Sequence, residues 1–138
     1  MQEELILTIK VVCDPAITVE GHTRDIVMIP FGGEASGPYF TGKIIGPGVD
    51  TQKIPKGGVP ALSARYMLEG TDSAGEKCHI FVENNGWFTG MQSPFQTVPT
   101  FMTDSKTLAP YLHTNKFRGE GHPREGGVTI KFFEVENA

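Results

Sequence analysis

Apolar residues recur at every second position in several short stretches of this chain. Leu5, Leu7, Ile9 and Val11 alternate with polar or small residues, which is the period of a half-buried strand, and Pro15 ends the stretch. Residues 24–31 predict a second strand with Ile26, Val27, Met28 and Ile29 apolar on both faces, as expected where one face meets a lumen and the other a cover. Gly32 and Gly33 predict a turn after it. Residues 39–45 predict a third strand closed by Gly46, Pro47 and Gly48, and residues 46–60 read as a long loop rich in Gly, Pro and Lys. Residues 62–68 and 77–84 flank the turn at 71–75 and form the clearest hairpin in the sequence. Residues 86–94 are turn-rich. Residues 95–101 predict a strand interrupted by Pro99, hence an edge or a bulge, and residues 127–135 predict a terminal strand. One segment breaks the period: Leu108, Tyr111 and Leu112 follow polar capping residues at helical spacing, so 104–113 predicts a short helix weakened by Pro110.

Seven or eight short strands and one helix fit a barrel or a sandwich, and the strands that are apolar on both faces favour the barrel. The expected fold is therefore all-β, an antiparallel β-barrel of about 7–9 strands with one short helix. The 138 residues make one domain, 1–138, with no linker in view. The 17 glycines and 10 prolines fall between apolar stretches, where they punctuate short strands.

A net charge of −4, with basic residues scattered singly, argues against a nucleic-acid partner. The apolar runs are far too short for a membrane helix, so no membrane partner is expected. Met1, Gln2, Glu3 and Glu4 lack the apolar core of an export signal, which predicts a cytoplasmic protein with Cys13 and Cys78 reduced.

An ordered set of landmarks runs from about Val11 to Val135. It comprises Gly21; Gly32 and Gly33 through Gly37 and Pro38 to Gly42; Gly48, Val49 and Asp50; Ala64, Arg65 and Tyr66; the run from Ile80 to Gly86; Thr97 to Phe101; Tyr111 and Leu112; and Phe117, Gly119 and Gly121. In this order and spacing the chain resembles the DUF3237 family, also labelled UPF0311, of small bacterial and fungal proteins. The resemblance implies a β-barrel and no agreed activity. It also shows departures: family members often carry Arg where this chain has Gln96, an acidic residue near Met102, and Trp and Asn where it has Tyr111 and His113.

The common site signatures are missing. No CxxC, HExxH, EF-hand, GxSxG or phosphate-loop pattern occurs, and His22, His79, His113 and His122 lie far apart, so no metal and no cofactor is expected. The hairpin is more informative. If it is centred near Ser73, one face carries Ser63, Arg65, Met67, His79, Phe81 and Glu83. The other carries Leu62, Ala64, Tyr66, Leu68, Cys78, Ile80, Val82 and Asn84 and reads as core.

A cation, an acid and an imidazole beside apolar groups suit a ligand cavity, and they suit a solvated sheet face nearly as well. The cavity reading makes Asp50, Arg65 and Glu83 the candidate catalytic residues. Asp50 or Glu83 would move a proton, and Arg65, pointing inward, would hold an anionic or carbonyl oxygen. Asp50, after a Gly-Pro-Gly turn, is placed at the barrel mouth; alternatively it only shapes that turn. Tyr66, His79, Asn84 and Trp87 are the candidate ligand contacts, with core packing, a bulge or the rim as their plain alternatives.

Three functions compete: a cofactor-independent isomerase, cyclase, lyase or hydratase; a small-molecule carrier; and a structural barrel with a filled lumen. Self-association as a homodimer is expected through the edges of the Pro99 strand and the terminal strand.

Overall fold

A computed structural model describes residues 3–88 and 94–135. Nine strands are present: β1 (Glu4–Cys13), β2 (Ile17–Glu20), β3 (Arg24–Ser36), β4 (Phe40–Pro55), β5 (Ala61–Asp72), β6 (Lys77–Trp87), β7 (Phe95–Thr103), β8 (Lys116–Arg124) and β9 (Gly127–Val135). A single-turn helix, α1 (Ala109–Leu112), precedes β8. The strands pair antiparallel in the order β1-β9-β8-β7-β6-β5-β4-β3-β2, and β1 also pairs with β3. Eight strands thus close into a barrel, with β2 outside the ring. None of the helical structure among the described residues is long and apolar enough to cross a membrane.

Closure depends on how β1 is shared. It runs beside β9 from Glu4 to Val12 and beside β3 from Thr8 to Cys13. Past Cys13 the chain leaves the ring, and β2 continues along the remaining edge of β3, pairing Ile17 with Met28 and Glu20 with Asp25. All four β2 residues are exposed, and the strand ends the sheet. The Pro99 strand and the terminal strand were expected to leave edges. β9 is paired on both sides, whereas β7 pairs with β6 from Thr97 to Thr103 and with β8 only at Phe95, Gln96 and Thr97, so its Pro99 edge has no β8 partner. β7 parts from β8 one residue before Pro99, which has no N–H to offer a partner.

Two expected turns are bulges inside longer strands. Gly32 and Gly33 lie within β3, where the pairing with β4 slips between Phe31 and Glu34. Gly46 to Gly48 lie within β4, whose pairing with β5 slips between Ile45 and Val49. An extra residue on one strand bends and twists it, which a small barrel requires. The loop expected over 46–60 therefore shrinks to the few residues after Pro55. A third slip, between Leu5 and Leu7, turns Ile6 into the core and leaves Leu5 exposed, so strict alternation fails at the start of β1. In β2 Ile17 and Val19 alternate with Thr18 and Glu20 but both are exposed, and β8 has no alternating apolar signal. The inward face of β8 consists of Phe117, Gly119 and Gly121. Of the turn-rich stretch 86–94, residues 89–93 lie outside the described residues.

The barrel is packed solid at one end. Ile9, Leu68, Ile80, Val82 and Phe132 are fully buried there, and the ring of Phe101 meets those of Phe117 and Phe132 edge-on at 5.2 and 5.3 Å. Residues 104–115 cap this end and insert Leu108 and Leu112. The helix spans 109–112 rather than 104–113, because a separate turn precedes it. The Leu108 N–H donates to Ser105 Oγ at 3.0 Å, and Pro110 can sit only near a helix start. The Ser105 hydroxyl donates to Asp72 Oδ2 at 2.6 Å, while Asp72 Oδ1 accepts from the N–H groups of Ala74 and Glu76. One buried carboxylate thus ties the β5–β6 turn to the cap, and the Ser105 hydroxyl, first among its donors, holds its pKa below the ordinary value.

Gly33 and Gly32 provide a matched test of the β1–β3 seam. Gly33 has φ +147°, and a Cβ there would run into the Lys10 carbonyl oxygen, whereas a Cβ on Gly32 meets no atom within 4 Å. Gly33→Ala should destabilise the protein by about 1–3 kcal/mol. Gly32→Ala should be neutral or stabilising by up to about 1 kcal/mol. Urea denaturation of the two variants measures the difference.

Candidate functional site

The other end of the barrel is hollow. A cavity of about 190 Å³ opens there, walled by inward residues of β3 to β6 and by Phe95 and Val128 across the ring. Glycines make room for its aromatic walls. A Cβ on Gly48 would lie 2.7 Å from the Phe31 ring and 2.8 Å from Tyr66 Cβ, and one on Gly121 would overlap the ring of Phe95. Phe31 and Tyr66 meet edge-on at 5.4 Å deeper in the chamber, and Phe88 and Phe95 at 5.3 Å near its mouth.

The strand ladder explains which polar groups enter. Asp50 is the direct partner of Ala64, and Ala64 of Asn84, so the three share the inner face of adjacent strands. Two strand spacings put the Asp50 and Asn84 backbones about 10 Å apart. Ala64, being small, leaves the gap between them open. Tyr66 lies one inward step along β5 from Ala64, about 7 Å farther toward the packed half. Asp50 Oδ1, Tyr66 Oη and Asn84 Oδ1 are all buried, and none has a hydrogen-bond partner among the described residues. Buried polar atoms are normally paired, so three orphans around one apolar chamber call for an explanation.

Gln52, the next inward residue of β4, donates its amide to Asp50 Oδ2 at 2.9 Å and fixes that carboxyl. Burial pushes the Asp50 pKa above its ordinary value, and the Gln52 hydrogen bond opposes the shift in part. Burial also pushes the Tyr66 phenol far up, so it stays a neutral hydroxyl. Cys13 lies at the mouth, its thiol pKa raised first by burial and then by the charge of Asp50, while Cys78 is buried in the packed half; both are free.

The sequence-derived candidates divide between two faces. Asp50, Tyr66 and Asn84 meet in the chamber. Arg65 and Glu83 are cross-strand partners, as the hairpin parity implies, but their face is the outer one. Arg65 Nε lies 3.4 Å from Glu83 Oε1, with 65% of the Arg65 side chain exposed, so it does not point into the barrel. The reason is parity: Leu62, Tyr66, Leu68, Ile80 and Val82 claim the core, and odd positions must face out. The hairpin pairs Thr71 with Lys77 about a centre at Ala74, one residue beyond Ser73, which shifts partners by two and preserves the faces.

His79 is also external. Its ring nitrogens lie 2.9 Å from Asp104 Oδ2 and 3.2 Å from Glu69 Oε2, and the hydrogen bond to Asp104, then that to Glu69, raises its pKa. Trp87 stands exposed on the outer face, and the aromatic that lines the mouth is its neighbour Phe88. Among the described residues no three His, Cys, Asp or Glu side chains are grouped to hold a metal. Gln52, Phe88 and Phe95 escaped the sequence reading. Gln52 follows from the parity of Asp50 once 46–55 is a strand, and Phe88 from that of Asn84. The family departures are remote from the chamber: Gln96 and Met102 are exposed on β7, and Tyr111 and His113 belong to the cap.

Fold and chamber together define a small closed antiparallel barrel with a ligand-sized cavity at one end. The chain belongs to the DUF3237 family, described as protein of unknown function, whose model matches residues 1–94. It is 32% identical to a UPF0311 protein of Clostridium acetobutylicum over 76% of each chain. A crystal structure of a protein with unknown function from Clostridium acetobutylicum is similar at TM-score 0.83 and 27% identity, covering 99% of this chain and 97% of that one. A crystal structure of an enzyme from Penicillium herquei shares the fold at TM-score 0.75 and 18% identity, covering 98% and 94%.

Asp50 and Arg65 should respond differently to mutation. A raised folded-state pKa at Asp50 means that stability is fully present below the unfolded carboxyl value and is lost as pH rises toward the folded one. Asp50→Asn should therefore be more stable than the wild type at pH 7, with the gap closing toward pH 3, as read by urea denaturation across pH. Arg65→Ala, which breaks the exposed pair with Glu83, should change stability by less than about 1 kcal/mol in the same assay.

Proposed function

We propose that the chamber is a small-molecule site and that Asp50 transfers a proton within it. The observation that carries this reading is the convergence of three buried, unpaired polar atoms on one aromatic-walled cavity. A mostly apolar pocket with a few polar groups is the usual form of a small-molecule site, and a carboxyl poised by burial is the usual form of a general base.

The chemistry follows from the placement. The Asp50 carboxylate would take a proton from carbon next to a substrate carbonyl. The Tyr66 hydroxyl, still protonated, would donate a hydrogen bond to the carbonyl oxygen as negative charge develops there. Asp50 then returns the proton at another position and regains its charge. Isomerisation and cyclisation fit this cycle with no other reactant. In elimination Asp50 gives its proton to the departing hydroxyl, which leaves as water as the C–O bond breaks, and addition is the reverse and takes up one water. Gln52 would orient Asp50 without touching substrate. An oxygen-holding role for Arg65 drops out with its outward position, and the substrate narrows to a neutral carbonyl compound.

Two variants test the reading. Small fragments that bind the wild type by ligand-observed NMR should lose binding in Ala64→Phe, which fills the gap between Asp50 and Asn84. Cyclohexanone serves as a probe of proton transfer. The protein should accelerate exchange of its α-protons in D2O, and Asp50→Asn should cut that acceleration by about 10²–10⁴-fold. Fragments that bind Ala64→Phe undiminished would place the site elsewhere. Binding without exchange above background would leave a carrier.

A further inference from the structure

The chamber also says what its ligand is made of. Three properties bear on this, and the inference rests on the chamber being the small-molecule site.

The first property is charge. Among the described residues that line the cavity, Asp50 and Cys13 are the only groups, Tyr66 aside, that can ionise to an anion, and none is a Lys, Arg or His. A carboxylate or phosphate inside would be buried without a partner, beside an acid that burial already disfavours in its charged form.

The second property is polarity of the hydrogen bonds. Two of the three unpaired atoms, Asp50 Oδ1 and Asn84 Oδ1, are acceptors, and the third, Tyr66 Oη, can accept or donate. A ligand that satisfies them must bring hydrogens on oxygen or nitrogen. A carbonyl alone would use only the tyrosine. The third property is shape. A cavity of about 190 Å³ is somewhat larger than one of about 150 Å³ that accepts benzene, and its walls are the rings of Phe31, Tyr66, Phe88 and Phe95. Ring-on-ring contact at such walls favours a flat molecule.

We infer that the chamber selects an uncharged, single-ring hydroxyl compound, a phenol or the enol of a cyclic ketone, whose hydroxyl hydrogen is received by Asp50 or Asn84. The enol case joins this selection to the proton transfer above. Enolisation converts a carbonyl acceptor into a hydroxyl donor, and acceptor atoms in the wall bind that form better than the ketone.

Four probes of one size decide the matter: phenol, toluene, benzoate and benzylamine, the last charged at neutral pH. Binding is followed on the full chain by amide chemical shifts of Ala64, Asn84 and their neighbours. Phenol should bind saturably and at least tenfold more tightly than toluene, with benzoate and benzylamine weaker than both. Asp50→Leu should reduce the phenol-to-toluene ratio toward one; Asp50→Asn, which retains a side-chain carbonyl oxygen, should keep most of it and guards against a misfolded leucine variant. If toluene matches phenol in the wild type, the hydroxyl selection is wrong and the chamber stands as an apolar site. Tightest binding by benzoate or by benzylamine would overturn the inference in favour of an anion or a cation. If none of the four enters, the chamber is not a ligand site, and both this inference and the function proposed above fall.

Discussion

Everything in this molecule depends on the closure of one sheet upon itself. A single strand, β1, must satisfy β9 on one edge and β3 on the other, and it does so over only six residue pairs with β3. Closure removes the exposed edges that an open eight-stranded sheet would present, and it forces every inward side chain into one shared space. The bulges at Gly33 and at 46–48 are part of the same requirement, since long strands wrap a narrow barrel only if they bend. Where β1 leaves the ring at Cys13, β2 inherits the free half of β3 and prolongs one wall beyond the mouth.

Closure does not decide whether the interior is filled. Here the two ends differ in side-chain size and in the cap. Large apolar residues and the inserted Leu108 and Leu112 complete the packing at one end. At the other, Gly48, Ala64 and Gly121 leave space that the neighbouring aromatic rings line without filling. The unpaired oxygens of Asp50, Tyr66 and Asn84 fall in that half, at adjacent ladder positions on three strands whose register fixes their separation. A site carried on paired strands is held more rigidly than one assembled from loops.

Much of this was legible in the chain. The alternation at 5–11 and in the 62–84 hairpin identified strands, and the hairpin's parity assigned the core face correctly even with its centre displaced by one residue, because partners shift in twos. The residues that misled are the glycines and prolines. Gly32-Gly33 and Gly46-Pro47-Gly48 look alike as turns and as bulges, since both need the same backbone freedom, and only pairing with a neighbouring strand distinguishes them. Strand β8 was invisible because two of its three inward positions, Gly119 and Gly121, are glycines that a facing threonine and ring overlie, so no apolar pattern marks them. Arg65 was drawn inward by its family landmark and by the mixed chemistry of its face. Parity alone, followed strictly, would have left it in water. Asp50 was found for its position after a turn, and the reason it enters the chamber, pairing with Ala64, is a long-range fact that sequence order does not carry.

Among the described residues, the cap closes the packed end, and the chamber lies at the other. On the proposed function, a molecule that enters past Phe88 and Phe95 meets Phe31 and Tyr66 and, behind them, solid core, and leaves by the way it came. Arrival and departure then exclude each other in time, and a second reactant cannot approach from the far side. Such a dead-end vessel suits a transformation of one molecule within itself. If the chamber acts as proposed, turnover is governed by how fast the product backs out as much as by the proton it exchanges.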